Sequence, residues 1–170
     1  MAVTTLPSEN LPNCSIERAL VVLGERWTFL ILRQSLMYGQ TRFADIQRSL
    51  GVASNVLTDR LDSLVSSGLL EKRPYRDGGS RTRFSYHPTR AGIDLKLVLG
   101  ALQQWGDEYA PRPGGPTVVR EVVGTWTGDA PESTQFARVA FVAEDARVLS
   151  VDDVRFTRGP GWAPAGNPVE

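Results

Sequence analysis

Residues 41–87 read TRFADIQRSLGVASNVLTDRLDSLVSSGLLEKRPYRDGGSRTRFSYH, and this stretch decides the fold. In residues 42–50, Phe43, Ile46 and Leu50 recur at three- and four-residue steps, the spacing that aligns apolar side chains along one helical face. Thr41 stands where a helix cap is expected. Gly51 breaks the pattern, and a second periodic run follows on Leu57, Leu61 and Leu64 until Gly68 closes it as a C-cap glycine would. Steps of about 100° per residue from the leucine stripe place Asn55, Asp59, Asp62 and Ser66 on the outward face, with Val56 and Thr58 beside it.

Residues 69–76 and 81–86 are extended in pattern, and Asp77-Gly78-Gly79-Ser80 joins them with the glycines that hairpin turns require. Helix, tight turn, helix and basic hairpin in that order make a winged helix-turn-helix. The hairpin carries Lys72, Arg73, Arg76, Arg81 and Arg83, with Asp77 the one acid between Lys72 and Arg83. Such charge either protects a solvated edge strand from aggregation or meets the phosphates and minor groove of a duplex. Directly after a helix-turn-helix the second reading is favoured. Base edges would then be read by Ser54, Asn55, Thr58 and Asp59, short polar groups near a helix N-terminus. Arg42, Arg60, Arg73, Arg76, Arg81 and Arg83 would anchor the backbone.

Two further runs agree with the motifs in order. RALVVLGERWTFLILRQSLMYGQTRFADIQRSLGVASNVLTDRLDSLVSSGLLEKRPY and YHPTRAGIDL resemble the HxlR-type family of bacterial winged-helix transcriptional regulators, relatives of the MarR regulators, over about residues 14–109. The matching parts are Cys14 before the first helix, Gly24-Glu25-Arg26-Trp27 with Ile31-Leu32, Arg42-Phe43, Leu57-Thr58-Asp59-Arg60-Leu61, and Thr89 with Gly92. The resemblance implies a dimeric DNA-binding regulator, more often a repressor. It also implies that Cys14, by position, is a candidate redox or electrophile sensor. From the residue alone Cys14 is either a small hydrophobe packed at a helix start or a thiol made reactive by that helix N-terminus.

Composition sets the outer limits. With 170 residues and 41% apolar content the chain suits one compact domain with an appendage, and is too apolar for disorder. Net charge is zero, which would argue against a polyanionic partner, but the charge is unevenly spread. Residues 40–96 hold ten basic side chains against six acidic, while residues 107–170 hold six against ten. The local field, rather than the total, steers a chain towards DNA. The N-terminus shows no basic start with an apolar run, so a cytoplasmic protein is expected, and a single cysteine excludes an internal disulfide.

The remaining segments are read in order. Residues 1–13, with Pro7 and Pro12, form a flexible arm; a helix starts near Cys14 on the stripe Ile16, Leu20 and Leu23; a second runs over 25–37 with Trp27, Leu30, Ile31 and Leu36 inward. One long helix is expected from Thr89, its cap, to about Tyr109. Its apolar residues occupy more than one face, so it needs cover. A second copy is the economical cover, giving a homodimer interface of Ile16, Leu20, Leu95, Val98, Leu99, Leu102 and Trp105; this chain's own C-terminal segment is the alternative. Residues 111–116 form a linker, and 117–170 a small β-rich extension with strands near 117–126, 136–143, 147–151 and 154–157, using Trp126, Phe141 and Phe156 to dock. Some members of the family resemble this tail but with paired cysteines like a zinc ribbon; with one cysteine and one histidine, His87, no metal site is expected here, and no cofactor.

The expected fold is therefore α+β, mainly α: a winged helix-turn-helix domain over 14–110 with N- and C-terminal dimerisation helices, then the β-rich extension. The expected function is sequence-specific regulation of transcription, a homodimer binding a palindromic operator and responding to an oxidant, electrophile or small effector. No enzyme is expected, because one histidine and one distant cysteine make no catalytic dyad. The alternative is a winged helix retained as a protein-interaction module, with the acidic tail contacting a partner; the basic hairpin separates the two, since an interaction module does not need it.

Overall fold

The structure is a computed structural model that describes residues 12, 14–78, 82–116, 118–121 and 137–158. The expected arm, the tip of the hairpin with Arg81, and the tail segments containing Trp126 lie outside the described residues. The chain parts into two compact units, one reaching Lys96 and the other spanning residues 97–157.

In the first unit α1 (Ser15–Leu23), α2 (Arg26–Tyr38), α3 (Phe43–Leu50) and α4 (Ser54–Ser66) precede the antiparallel hairpin of β1 (Leu70–Tyr75) and β2 (Arg83–Pro88), and α5 (Arg90–Asp94) follows. Ile31 and Leu32 from α2, Ile46 from α3, Leu57, Leu61 and Leu64 from α4, and Leu70 from β1 are the largest fully buried side chains. The leucine stripe of α4 thus faces inward as its period requires. The turn between α3 and α4 is made by Gly51 at φ 62°, a left-handed conformation that glycine adopts without Cβ strain. Trp27, read as inward, is half-buried, with the Arg26 guanidinium 5.0 Å from its ring centre.

Two local readings in this region are corrected. Thr41 does not cap α3: Arg42 is the N-cap, without a side-chain cap bond. The reason is that this backbone belongs to the sheet. The Thr41 carbonyl accepts from the Tyr86 amide at 2.7 Å, and Arg42 forms a β-bridge with Ser85. The helix expected from Thr89 to Tyr109 is two, α5 and then α6 (Lys96–Tyr109), because the Leu95 amide bonds Gly92 O three residues back and tightens the ladder at that point. Thr89 does cap α5, its hydroxyl accepting from the Gly92 amide at 3.2 Å while donating to Gly68 O at 2.6 Å.

In the second unit, β3 (Phe141–Val142) and β4 (Val148–Leu149) form a short antiparallel hairpin around the expected turn at Glu144-Asp145. Residues 154–157 are not a strand; a 3-10 turn at Val151–Asp153, capped by the Ser150 hydroxyl, precedes an irregular stretch. Phe156 lies edge-on to Phe141 at 6.3 Å. Gln104 of α6 clasps the extended chain with both ends of its amide, donating to Val139 O and accepting from the Val139 amide, each at 3.1 Å. Part of the α6 surface is therefore covered by this chain's own C-terminal segment.

Candidate nucleic-acid interface

The outward side of α4 divides into two parts. Towards its C-terminal end Asp62 is engaged, its carboxylate 3.7 Å from the ammonium of Lys72 on β1. The N-terminal half is open. Ser54, Asn55, Thr58 and Asp59 are all exposed, as their spacing predicts, but they are not equivalent. Ser54 Oγ accepts from the Gln47 side chain of α3 at 2.6 Å, which ties it to the inter-helix turn and leaves its proton free to donate. Thr58 donates its hydroxyl to Ser54 O at 2.9 Å and keeps only acceptor capacity. The side chains of Asn55 and Asp59 make no hydrogen bond among the described residues. An exposed, unengaged amide able to donate and accept at once is the group that can contact a base edge bidentately.

The cations around this helix differ in the same way. Arg83 lies 3.4 Å and Arg42 4.0 Å from the same oxygen of Asp77. Arg42 also lies over the ring of Tyr75 at 4.9 Å, a cation–π contact that composition alone did not suggest. Arg60 reaches Glu25 at the head of α2 at 3.6 Å and is partly buried, and Arg73 pairs with Glu71 of its own strand. Arg76 is exposed and has no carboxylate partner among the described residues. All these ion pairs are solvent-facing and weak enough for a phosphate to displace them. His87 lies with Nε2 3.0 Å from Ser85 Oγ on β2, while the Ser85 hydroxyl also lies 3.3 Å from Arg73 O.

Tyr86 holds the base of the hairpin. Burial pushes its hydroxyl above the usual phenol value of 10.0, against the lowering influence of the Lys72 ammonium. A model of the HxlR-like helix-turn-helix family matches residues 22–113, the span that carries this helix and hairpin. The chain belongs to that family. As an HxlR-like protein it is 44% identical over 118 residues to an uncharacterized HTH-type transcriptional regulator of Mycobacterium tuberculosis H37Rv, covering 69% of this chain and 72% of the relative. The crystal structure of PA1607, described as a candidate transcription factor, superposes with a TM-score of 0.68 at 33% identity, over 90% of this chain and 100% of that one. A second such protein, PA1374 from Pseudomonas aeruginosa, does so with a TM-score of 0.56 at 33% identity, over 89% and 96%. Both likenesses extend well beyond residue 113, so the C-terminal unit is not peculiar to this HxlR-like chain.

Of the remaining predicted residues, Cys14 is an exposed thiol at the N-cap of α1. On α1, Ile16 and Leu20 are exposed, Ile16 at 69%. On α6, Val98, Leu102 and Trp105 are exposed, Trp105 at 62% with its ring centre 5.4 Å from that of Tyr109, whereas Leu99 is buried at 6% within the single chain and Leu95, the C-cap of α5, is half-buried. Val21, which periodicity did not single out, and Leu97, one of the apolar residues of the helical run after Thr89, are equally exposed. No described helix is long and apolar enough to cross a membrane.

Proposed function

We propose that this chain is a sequence-specific repressor that binds a palindromic operator as a homodimer. The observation that carries the proposal is the open N-terminal half of α4, with Asn55 and Asp59 unengaged, on the same compact unit as a hairpin bearing Arg73, Arg76 and Arg83. A helix of this kind enters the major groove by its N-terminal residues while the hairpin grips the adjoining backbone. Arg42 and Arg60 flank the helix, and Arg81, outside the described residues, completes the proposed set of anchors.

The exposed apolar stripes of α1 and α6 support the dimer. Ile16 and Leu20 on one helix, and Val98, Leu102 and Trp105 on the other, leave large side chains in water that a second copy would cover, with Leu95 and Leu99 beneath. A two-fold dimer presents its recognition helices to half-sites about one helical turn apart. Cys14, exposed at the head of α1, is the group through which an oxidant or electrophile would loosen operator binding; a small effector is the other input the reading admits.

Selection of bound fragments from the source genome tests the whole reading. The expected result is a short inverted repeat upstream of a small set of genes, and Asn55→Ala reduces preference for it over random duplex by about 1–3 kcal/mol. A protein that enriches no sequence, or binds as a monomer, would end the proposal.

A further inference from the structure

The contact between Asp62 and Lys72 has a different character from the other ion pairs on this face. It joins two elements that the proposed DNA contact requires to act together, the recognition helix and the hairpin. Lys72 and Tyr86 are register partners in the ladder, so they share one face of the hairpin, with Phe84 two residues along on the same face. The Lys72 ammonium lies 4.7 Å from the Phe84 ring centre and 5.8 Å from that of Tyr86, and 3.7 Å from Asp62 Oδ1 across on α4. Its charge thus lies beside two aromatic rings and a carboxylate of the protein, with the side chain still 36% exposed. Among the described cations of the hairpin, Arg73 and Arg83 are paired on their own hairpin and Arg76, just past β1, has no carboxylate partner among the described residues; Lys72 alone in that group reaches α4.

We infer that Lys72 and Asp62 are positioning residues that fix the angle between the recognition helix and the wing, and that Lys72 does not contact phosphate. The inference rests on the DNA-binding reading. It separates from simple electrostatics by sign. If charge alone mattered, removing the acid Asp62 would strengthen binding to every duplex, and removing Lys72 would weaken it and reduce the salt slope by about 0.9. A latch behaves otherwise: losing either end lets the helix and wing misalign, which weakens the operator complex and leaves the count of phosphate contacts unchanged.

The test compares full-length wild type, Lys72→Met, Asp62→Asn, Lys72→Arg and the double exchange Lys72→Glu with Asp62→Lys. The probes are the selected operator and a random duplex across a salt series, with thermal midpoints measured alongside. Lys72→Met keeps the apolar stem over the rings and removes only the charge. The expected result is that Lys72→Met and Asp62→Asn each lower the ratio of operator to random affinity by about two- to fivefold, the range of an exposed ion pair, with salt slopes unchanged. Lys72→Arg retains the ratio and the double exchange restores most of it. Tighter operator binding by Asp62→Asn, or a reduced salt slope in Lys72→Met, would overturn the latch. Wild type that fails to discriminate operator from random duplex would overturn the DNA reading first, and the inference with it.

Discussion

Replacing Gly92 with alanine sets two well-measured effects against each other, and the structure says which one wins. Gly92 is buried in α5, where an alanine would ordinarily stabilise a helix by about 1 kcal/mol. A Cβ built on Gly92, however, falls closer than 3.0 Å to the carbonyl oxygen of Leu69, with the Leu69 carbonyl carbon at 3.2 Å and Pro88 Cβ at 3.5 Å. The obstruction is backbone, which cannot rotate aside. Relief requires α5 to move off the chain entering β1, and that chain is held by the Thr89 amide on Leu69 O at 3.0 Å and the Thr89 hydroxyl on Gly68 O at 2.6 Å. Overpacking of this kind costs about 3 kcal/mol, so the net expectation is a loss of about 2 kcal/mol. Urea unfolding followed by Trp fluorescence and by far-ultraviolet dichroism measures it. A Gly92→Ala protein as stable as wild type, or more so, would refute the reasoning, because helix propensity alone predicts a gain. The pairing of Thr89 with Gly92, part of the family resemblance, has this physical basis: one residue caps the helix, and the other lets it approach the strand.

Further outcomes follow from the face of α4 and the hairpin. Arg76→Ala weakens binding to all duplexes and lowers the slope of log affinity against log salt by about 0.9, and costs more affinity than Arg83→Ala, whose guanidinium must first leave Asp77; equal slopes in wild type and Arg76→Ala would contradict this. The raised Tyr86 hydroxyl contributes stability that is fully present below about pH 10 and is lost as pH climbs through the raised value, so Tyr86→Phe removes that part of the alkaline decline, read as the urea midpoint between about pH 9 and pH 11. If both proteins lose stability in parallel over that range, burial of the phenol is not the cause. A quinone, to which a lone thiolate adds without a second thiol, releases wild type from its operator and leaves Cys14→Ser bound, in a chain whose single thiol makes the comparison clean; identical release of both would remove Cys14 from the proposal.

What the sequence disclosed, and what it withheld, follows from the range of the interactions involved. The leucines of α4 and the glycine at 51 are local signals of period and backbone conformation, and both helices stand where those signals put them. Thr41 misled because a side chain suited to capping was outcompeted by a strand forty-five positions away, whose amide takes the Thr41 carbonyl. The break at Leu95 was hidden because apolar residues recur at 93, 95, 97, 98 and 99 on several faces, with no glycine or proline among residues 93–99 to mark a boundary. Among site residues, the position of Asn55 was readable from helical phase. The engagement of Asp62 was not, since it depends on the strand register that places Lys72 opposite Tyr86. Parity along the two strands would have put Lys72, Phe84 and Tyr86 on one face once the register was known, and nothing local supplies the register.

The hydrogen bond from the Tyr86 amide to Thr41 O, with the bridge from Arg42 to Ser85, stitches the start of α3 into the sheet. The hairpin is therefore no loose flap. A tilt of the hairpin therefore strains the head of α3 first, and in the proposed complex the load borne by the hairpin would pass into that helix through the main chain.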